Sequence, residues 1–247
     1  MTSEKDCLHK VSSEKENSGY FKGLSRRDYI QKAYDLIQKE GIQAVSIRRI
    51  AQELGCSSAS LYRHFENRDE LLYYAELRTL KNYIVRLNQA ERTWKNIWDI
   101  YVGIWDCYAR EAFANPEAYN LLFFTYTNEK LQTSIREYYD MFPEDIRDSN
   151  QFFSAMLQTP DFMGRDFEVC KKCVRANVIS FENALRMNRM VCMLYKGYLK
   201  TILDDGIEEH RMEARVNQFV DDVDRIVMSL AKDMKGYQGY RKRNLKN

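Results

Sequence analysis

Ser58, Ser60, Tyr62, Arg63 and His64 crowd into one short stretch, CSSASLYRHF at 56–65, and Ser46 and Arg48 lie just upstream in SIRRIAQELG. Hydroxyls and cations at this density suit an exposed face that meets a polar, negatively charged partner, because they can hold phosphate oxygens while other side chains reach base edges. Catalysis has far less to work with. The three histidines, His9, His64 and His210, share no metal-ligand spacing, and no Gly-rich phosphate loop is present. Cys170-Lys-Lys-Cys173 is a lone CxxC in a helical context and reads as two partly buried thiols. The sequence therefore implies no catalytic residue, no metal and no cofactor, and argues against an enzyme.

The elements that must position these side chains are two short helices and a tight turn over 46–65. Ser46 can cap the first, with Ile47, Ile50, Ala51 and Leu54 on its inner stripe. Gly55 tolerates the left-handed backbone of a sharp exit. Ser57 or Ser58 caps the second helix, predicted over 58–65, which buries Leu61 and Phe65 and turns Ser58, Ala59, Ser60, Tyr62, Arg63 and His64 outward. This is the pattern of a helix-turn-helix with 58–65 in the place of the recognition helix.

At 26–72 the chain resembles the DNA-binding domain of the tetracycline-repressor (TetR) family. The likeness rests on EGIQAVSIRRIAQELG followed by CSSASLYRHFENRDELL, and covers about a fifth of the chain. Two positions depart from the common pattern: Ser58, often Lys or Arg in similar proteins, and Ala59, often Gly. The resemblance implies that Tyr62 and Arg68 hold phosphates while Ser58, Ala59 and Ser60 approach bases. The full set expected at DNA is Arg26, Arg27, Ser46, Arg48, Ser57, Ser58, Ala59, Ser60, Tyr62, Arg63, His64 and Arg68. Arg68 is joined there by the amino end of a helix capped by Asn67, which attracts an anion.

The overall charge of +2 conceals a division. Residues 22–88 hold 12 Lys+Arg against 8 Asp+Glu, whereas 89–231 hold 17 against 23, so basic charge gathers around the motif. A hydrophobic content of 45% with only 10 Gly and 3 Pro in 247 residues predicts long helices around a sizeable core. Neither a signal-peptide pattern nor an apolar run long enough to span a membrane is evident, and the six cysteines are scattered, so a cytoplasmic location is the expectation.

The expected organisation is a flexible arm at 1–21, a helix-turn-helix domain at 22–88, a larger helical domain at 89–235 for regulation and dimerisation, and a basic tail at 236–247. Ser25 caps the first helix, to about residue 40. Asn67 starts a fourth that continues towards 88, and Thr93 caps a fifth over 94–114. An aromatic middle region, Trp98, Tyr101, Trp105, Tyr119, Phe123, Phe124, Tyr126, Phe152, Phe153 and Met156, can line an apolar pocket or form ordinary core. The last two long helices carry broad apolar seams: Phe181, Leu185, Cys192, Tyr195 and Leu199 on one, and Val216, Phe219, Val223, Ile226 and Leu230 on the other. These can pack within one subunit or across a dimer. The family resemblance favours a homodimer paired through these helices as a four-helix bundle. It implies an all-α, two-domain regulator, more often a repressor, that reads a palindromic operator in double-stranded DNA and is released by an apolar or aromatic small molecule. The competing expectation is an architectural or protein-binding helix-turn-helix protein with no effector.

Overall fold

The computed structural model describes residues 23–125, 129–147, 149–234 and 236–240. Every regular element among them is helical. The expected arm at 1–21, Tyr126 and residues 241–247 of the basic tail lie outside the described residues.

The N-terminal head begins with α1 (Arg26–Glu40), opened by a capping box in which the Ser25 hydroxyl accepts from the Asp28 amide and Asp28 accepts from the Ser25 amide. Tyr29, Ile30, Ala33 and Leu36 form its buried stripe. Helices α2 (Ile47–Glu53) and α3 (Ser58–Tyr62) follow. Ile47, Ile50, Ala51, Leu61 and Phe65 close over α1, so burial of a single apolar face fixes the angle between the two short helices. Helix α4 (Arg68–Leu77) packs against α1 and ends the head.

Helix α4 stops earlier than its apolar pattern predicts. The chain turns at Arg78 and Thr79, and α5 (Leu80–Ala90) continues on a new axis packed against α6. The Thr79 hydroxyl donates to the Glu76 carboxylate at 3.0 Å, a local bond that competes with regular helix continuation.

Helix α6 (Ile97–Ala114) is the axis of the larger region. Asn96, not Thr93, caps it, accepting from the amides of Trp98 and Asp99. The Thr93 hydroxyl is instead spent on the Ala90 carbonyl at 2.7 Å. Gly103 permits a close approach within this helix, since a Cβ there would lie 2.4 Å from the Trp94 ring. Pro116 opens α7 (Pro116–Asn120), one π-helical turn follows at Leu121–Thr125, and α8 (Glu129–Met141) returns against α4. A short 3-10 turn at Pro143–Asp145 follows and then α9 (Gln151–Gln158). Helix α10 (Phe162–Arg175) leads to the two long helices α11 (Phe181–Asp205) and α12 (Glu209–Leu230).

The apolar seams of α11 and α12 point inward, which corrects the expectation for most of the proposed dimer residues. Cys192, Tyr195, Leu199, Val216, Phe219, Val223 and Leu230 are buried within this one chain. Phe219 packs edge-on against Trp105 and Phe113 of α6, and α12 lies along that helix. Ile226 is half-buried, while Phe181 and Leu185 remain outside at 58% and 39% exposure. A helix seam has no means of distinguishing a neighbour in its own chain from one in a partner, and α6 claims it here. Met190, Met193 and Met228 are exposed as well.

Candidate nucleic-acid interface

The reading surface is built on the α2–turn–α3 unit. The Ser46 hydroxyl accepts from the Arg49 amide at 3.2 Å and fixes the start of α2. Gly55 adopts φ +66°, and the next amide, Cys56, reaches back to the Ala51 carbonyl at 2.9 Å, closing the turn. Ser57 occupies the cap position of α3, yet its hydroxyl pairs with the Ser60 hydroxyl at 3.2 Å and leaves the cap unfilled. The helix itself is shorter than expected, ending at Tyr62. His64 and Phe65 continue in a turn whose amides both return to the Leu61 carbonyl.

On this frame Ser46, Arg48, Ser57, Ala59, Tyr62 and Arg63 are exposed, with Tyr62 at 58%. Ser58, Ser60 and His64 are half-buried. The His64 ring rests on Tyr29 with centroids 5.3 Å apart, so one side of it is spent on α1. The Arg63 guanidinium donates to the Ser60 hydroxyl at 3.1 Å, joining two of the candidate contact residues into one polar unit.

Other cations of the head have intramolecular partners. Arg26 stacks on Tyr74 at 4.3 Å and pairs with Glu70 at 2.7 Å and with Glu137 of α8. Arg27 stacks on Phe142, donates to the Met141 carbonyl at 2.7 Å and pairs with Glu144. Arg49 lies between Glu40 and Glu53, and Lys32 pairs with Glu53. The hydrogen bond from Arg49 holds the Glu40 carboxyl below its usual range, and that from Lys32 does the same for Glu53. Arg68 donates from Nε to the Val45 carbonyl at 2.6 Å and from Nη2 to the Ile42 carbonyl at 3.0 Å. The regional charge count therefore overstates the charge this surface presents, because sequence position does not record which cations a carboxylate or carbonyl has taken.

At the start of α4, Asn67 accepts from the Glu70 amide at 2.9 Å and Glu70 accepts from the Glu66 amide at 2.6 Å. One first-turn donor that an incoming anion would use, the Glu70 amide, is therefore already capped.

The aromatic region is closely packed. A cavity of about 30 Å³ lies against Tyr83, Ile104, Trp105, Tyr108, Met156, Phe162, Arg165 and Asp166. Trp105 and Met156 are the expected pocket residues that line it. Trp98, Tyr101, Tyr119 and Phe153 are buried in ring packing, and Phe123, Phe124 and Phe152 are half-buried against the core. The signal missed in the sequence is the pair Arg165-Asp166, two charges on a helix that turns them inward. Asp166 accepts from Trp105 at 2.9 Å, Tyr101 at 3.3 Å, Asn188 at 2.8 Å and Cys170 at 3.4 Å, while burial pushes its carboxyl up to about 6. Arg165 donates to the Thr159 and Leu157 carbonyls. Cys170 and Cys173 are both buried free thiols, and burial pushes Cys173 up to about 12, far from thiolate reactivity at neutral pH.

Comparison with known proteins agrees with this geometry. The tetR family of bacterial regulatory proteins matches residues 30–75, which take in the whole α2–turn–α3 unit. A helix-turn-helix transcriptional regulator of Staphylococcus aureus strain MSSA476 is 29% identical over 184 residues, spanning 72% of this chain and 91% of that protein. A counterpart from strain USA300 is 29% identical over 131 residues, 51% of this chain and 71% of its own. Among solved structures, a Rhodococcus sp. RHA1 protein of unknown function shares the fold, with a TM-score of 0.55 at 18% identity over 87% of this chain and 100% of that one. Residues 30–75 thus form a tetR-type helix-turn-helix DNA-binding domain with a larger helical region behind it, and the chain is similar over most of its length to helix-turn-helix regulators of transcription.

Proposed function

We propose that the protein is a homodimeric repressor that reads a palindromic operator and is released by a small apolar or aromatic molecule. The observation that supports the dimer is the number of large apolar side chains left exposed on α11 and α12: Phe181, Leu185, Met190, Met193 and Met228. Met190 and Met193, at 42% and 62% exposure, leave the side of α11 away from the core apolar, as an association surface requires. Arg186 and Arg189 on α11, with Asp221, Asp222 and Arg225 on α12, supply both signs of charge for a self-complementary partner. Two reading heads held about 34 Å apart, one turn of DNA, would engage both half-sites at once, which explains why a small head is sufficient.

The release step is supported by the region around Trp105. Among the described residues the buried Tyr119 hydroxyl has no hydrogen-bond partner, which costs about 1–3 kcal/mol, and the Tyr108 and Tyr195 hydroxyls have only each other. A ligand with a polar edge would relieve that cost while its apolar body displaced aromatic packing. A second reading, a helix-turn-helix protein without an effector, is favoured by the small size of the cavity, about 30 Å³. Thermal melting against a panel of planar aromatic compounds separates the two. A concentration-dependent rise in Tm together with weakened operator binding supports release; a panel that leaves both unchanged supports the effector-free protein.

A further inference from the structure

Four arginines lie between residues 46 and 68, and the fold uses them differently. Arg49 is clamped by Glu40 and Glu53. Arg68 places Nε 2.6 Å from the Val45 carbonyl and Nη2 3.0 Å from the Ile42 carbonyl. Those carbonyls belong to the 3-10 turn at Ile42–Ala44 and the residue after it, immediately before α2. The Ile42 carbonyl also accepts the Val45 amide at 3.3 Å, so Arg68 adds a second donor to the carbonyl that closes this turn. Arg68 itself is the first residue of α4, a position where the helix dipole disfavours a cation, and the two carbonyl dipoles offset that penalty. Arg48 and Arg63, by contrast, are exposed and have no carboxylate partner among the described residues, and Arg63 is braced by Ser60.

We propose that Arg48 and Arg63 are the arginines of the reading head that neutralise DNA phosphates, and that Arg68 is a positioning residue that sets α2 and α3 against α4. This division rests on the DNA-binding reading of residues 46–65. Three features converge on it: the two carbonyl bonds that orient the Arg68 guanidinium, the Asn67 side chain already occupying the Glu70 amide in the first turn of α4, and the exposure of Arg48 and Arg63. Arg68 then acts on recognition through the angle at which α3 enters the groove, and a loss at this position weakens binding without removing a charge contact.

The salt dependence of operator binding separates the two roles, because each phosphate contact adds about 0.9 to the slope of log affinity against log salt. The probe is a duplex selected by the wild-type chain from random-sequence DNA, with binding measured where circular dichroism shows each variant folded. In a two-fold dimer, Arg48→Gln and Arg63→Gln each lower the slope magnitude by about 1.8. Arg68→Gln weakens binding roughly tenfold at every salt concentration with the slope unchanged. Arg68→Lys, which keeps the charge and can reach one carbonyl, recovers part of the lost affinity. A slope that falls by about 1.8 in Arg68→Gln and returns with full affinity in Arg68→Lys overturns the assignment, as does an unchanged slope in both Arg48→Gln and Arg63→Gln. A wild-type chain that selects no duplex overturns the DNA-binding reading itself.

Discussion

The Tyr74 hydroxyl donates to the Glu137 carboxylate at 2.5 Å, and the same carboxylate pairs with Arg26, whose guanidinium lies over the Tyr74 ring. One residue of α8 thereby holds both α1 and α4. Glu70 extends the link from Arg26 to the Glu66 amide, just past the end of α3. Replacing Glu137 with Gln should weaken this tie and cost about 1–3 kcal/mol. Hydrogen exchange should then accelerate in α1 and the first turn of α4 while α11 and α12 keep their protection. Uniform exchange across the chain would show that Glu137 is not a local tie.

Tyr62 is 58% exposed and makes no packing contribution that the head requires. Tyr62→Ala should weaken operator binding by about 1–3 kcal/mol with Tm essentially unchanged. An electrophoretic mobility titration paired with a melting curve measures both. Binding as tight as wild type would mean that α3 meets DNA with another face.

Charge placed on the two sides of α11 and α12 should have opposite consequences. Met193 is 62% exposed, so Met193→Glu should leave each subunit folded and shift sedimentation from dimer to monomer. Val223 is buried at 0% exposure, so Val223→Glu should destabilise the subunit by more than about 3 kcal/mol, because an unpaired carboxylate enters the core. A folded Met193→Glu chain that still sediments as a dimer would move the interface elsewhere.

Glu76 gives the stability a distinctive pH dependence. Burial pushes its carboxyl up from 4.5 to about 7, with the Thr79 hydroxyl opposing and Glu117 adding to the rise. The folded state holds the proton more tightly than the unfolded chain, so this group favours folding while protonated. That contribution is complete below about pH 4.5 and fades as pH rises towards 7. Glu76→Gln should therefore raise Tm at pH 8 and change it little at pH 4.5. An equal shift at both pH values would place the effect outside this titration.

A close backbone approach makes a final test of the fold. Gly103→Ala places a methyl group 2.4 Å from the Trp94 ring. Moving that ring should cost about 1–3 kcal/mol, seen in denaturant unfolding as a lower midpoint with an unchanged slope.

What the sequence determined by itself is local. The capping box at Ser25, the Gly55 turn, the inward stripe of Ile47, Ile50, Ala51, Leu61 and Phe65, and the outward Tyr62 and Arg63 all follow from spacing and backbone preference within a few residues of one another. That was sufficient to identify the helix-turn-helix and its likeness to the tetR-type domain. Tertiary structure decided everything that depends on a distant partner. Arg26, Arg27 and Arg68 were indistinguishable from phosphate-facing cations until Glu137, Glu144 and the Val45 carbonyl came within reach. The seams of α11 and α12 carried the same apolar period whether they met α6 or a second subunit, and only the packing of Phe219 against Trp105 settled which. Likewise, Asp166 became a buried carboxylate with four donors because α6 and α11 bring Trp105 and Asn188 to it. Helical periodicity specifies which face of a segment is apolar; what that face meets is chosen by the other segments competing to cover it.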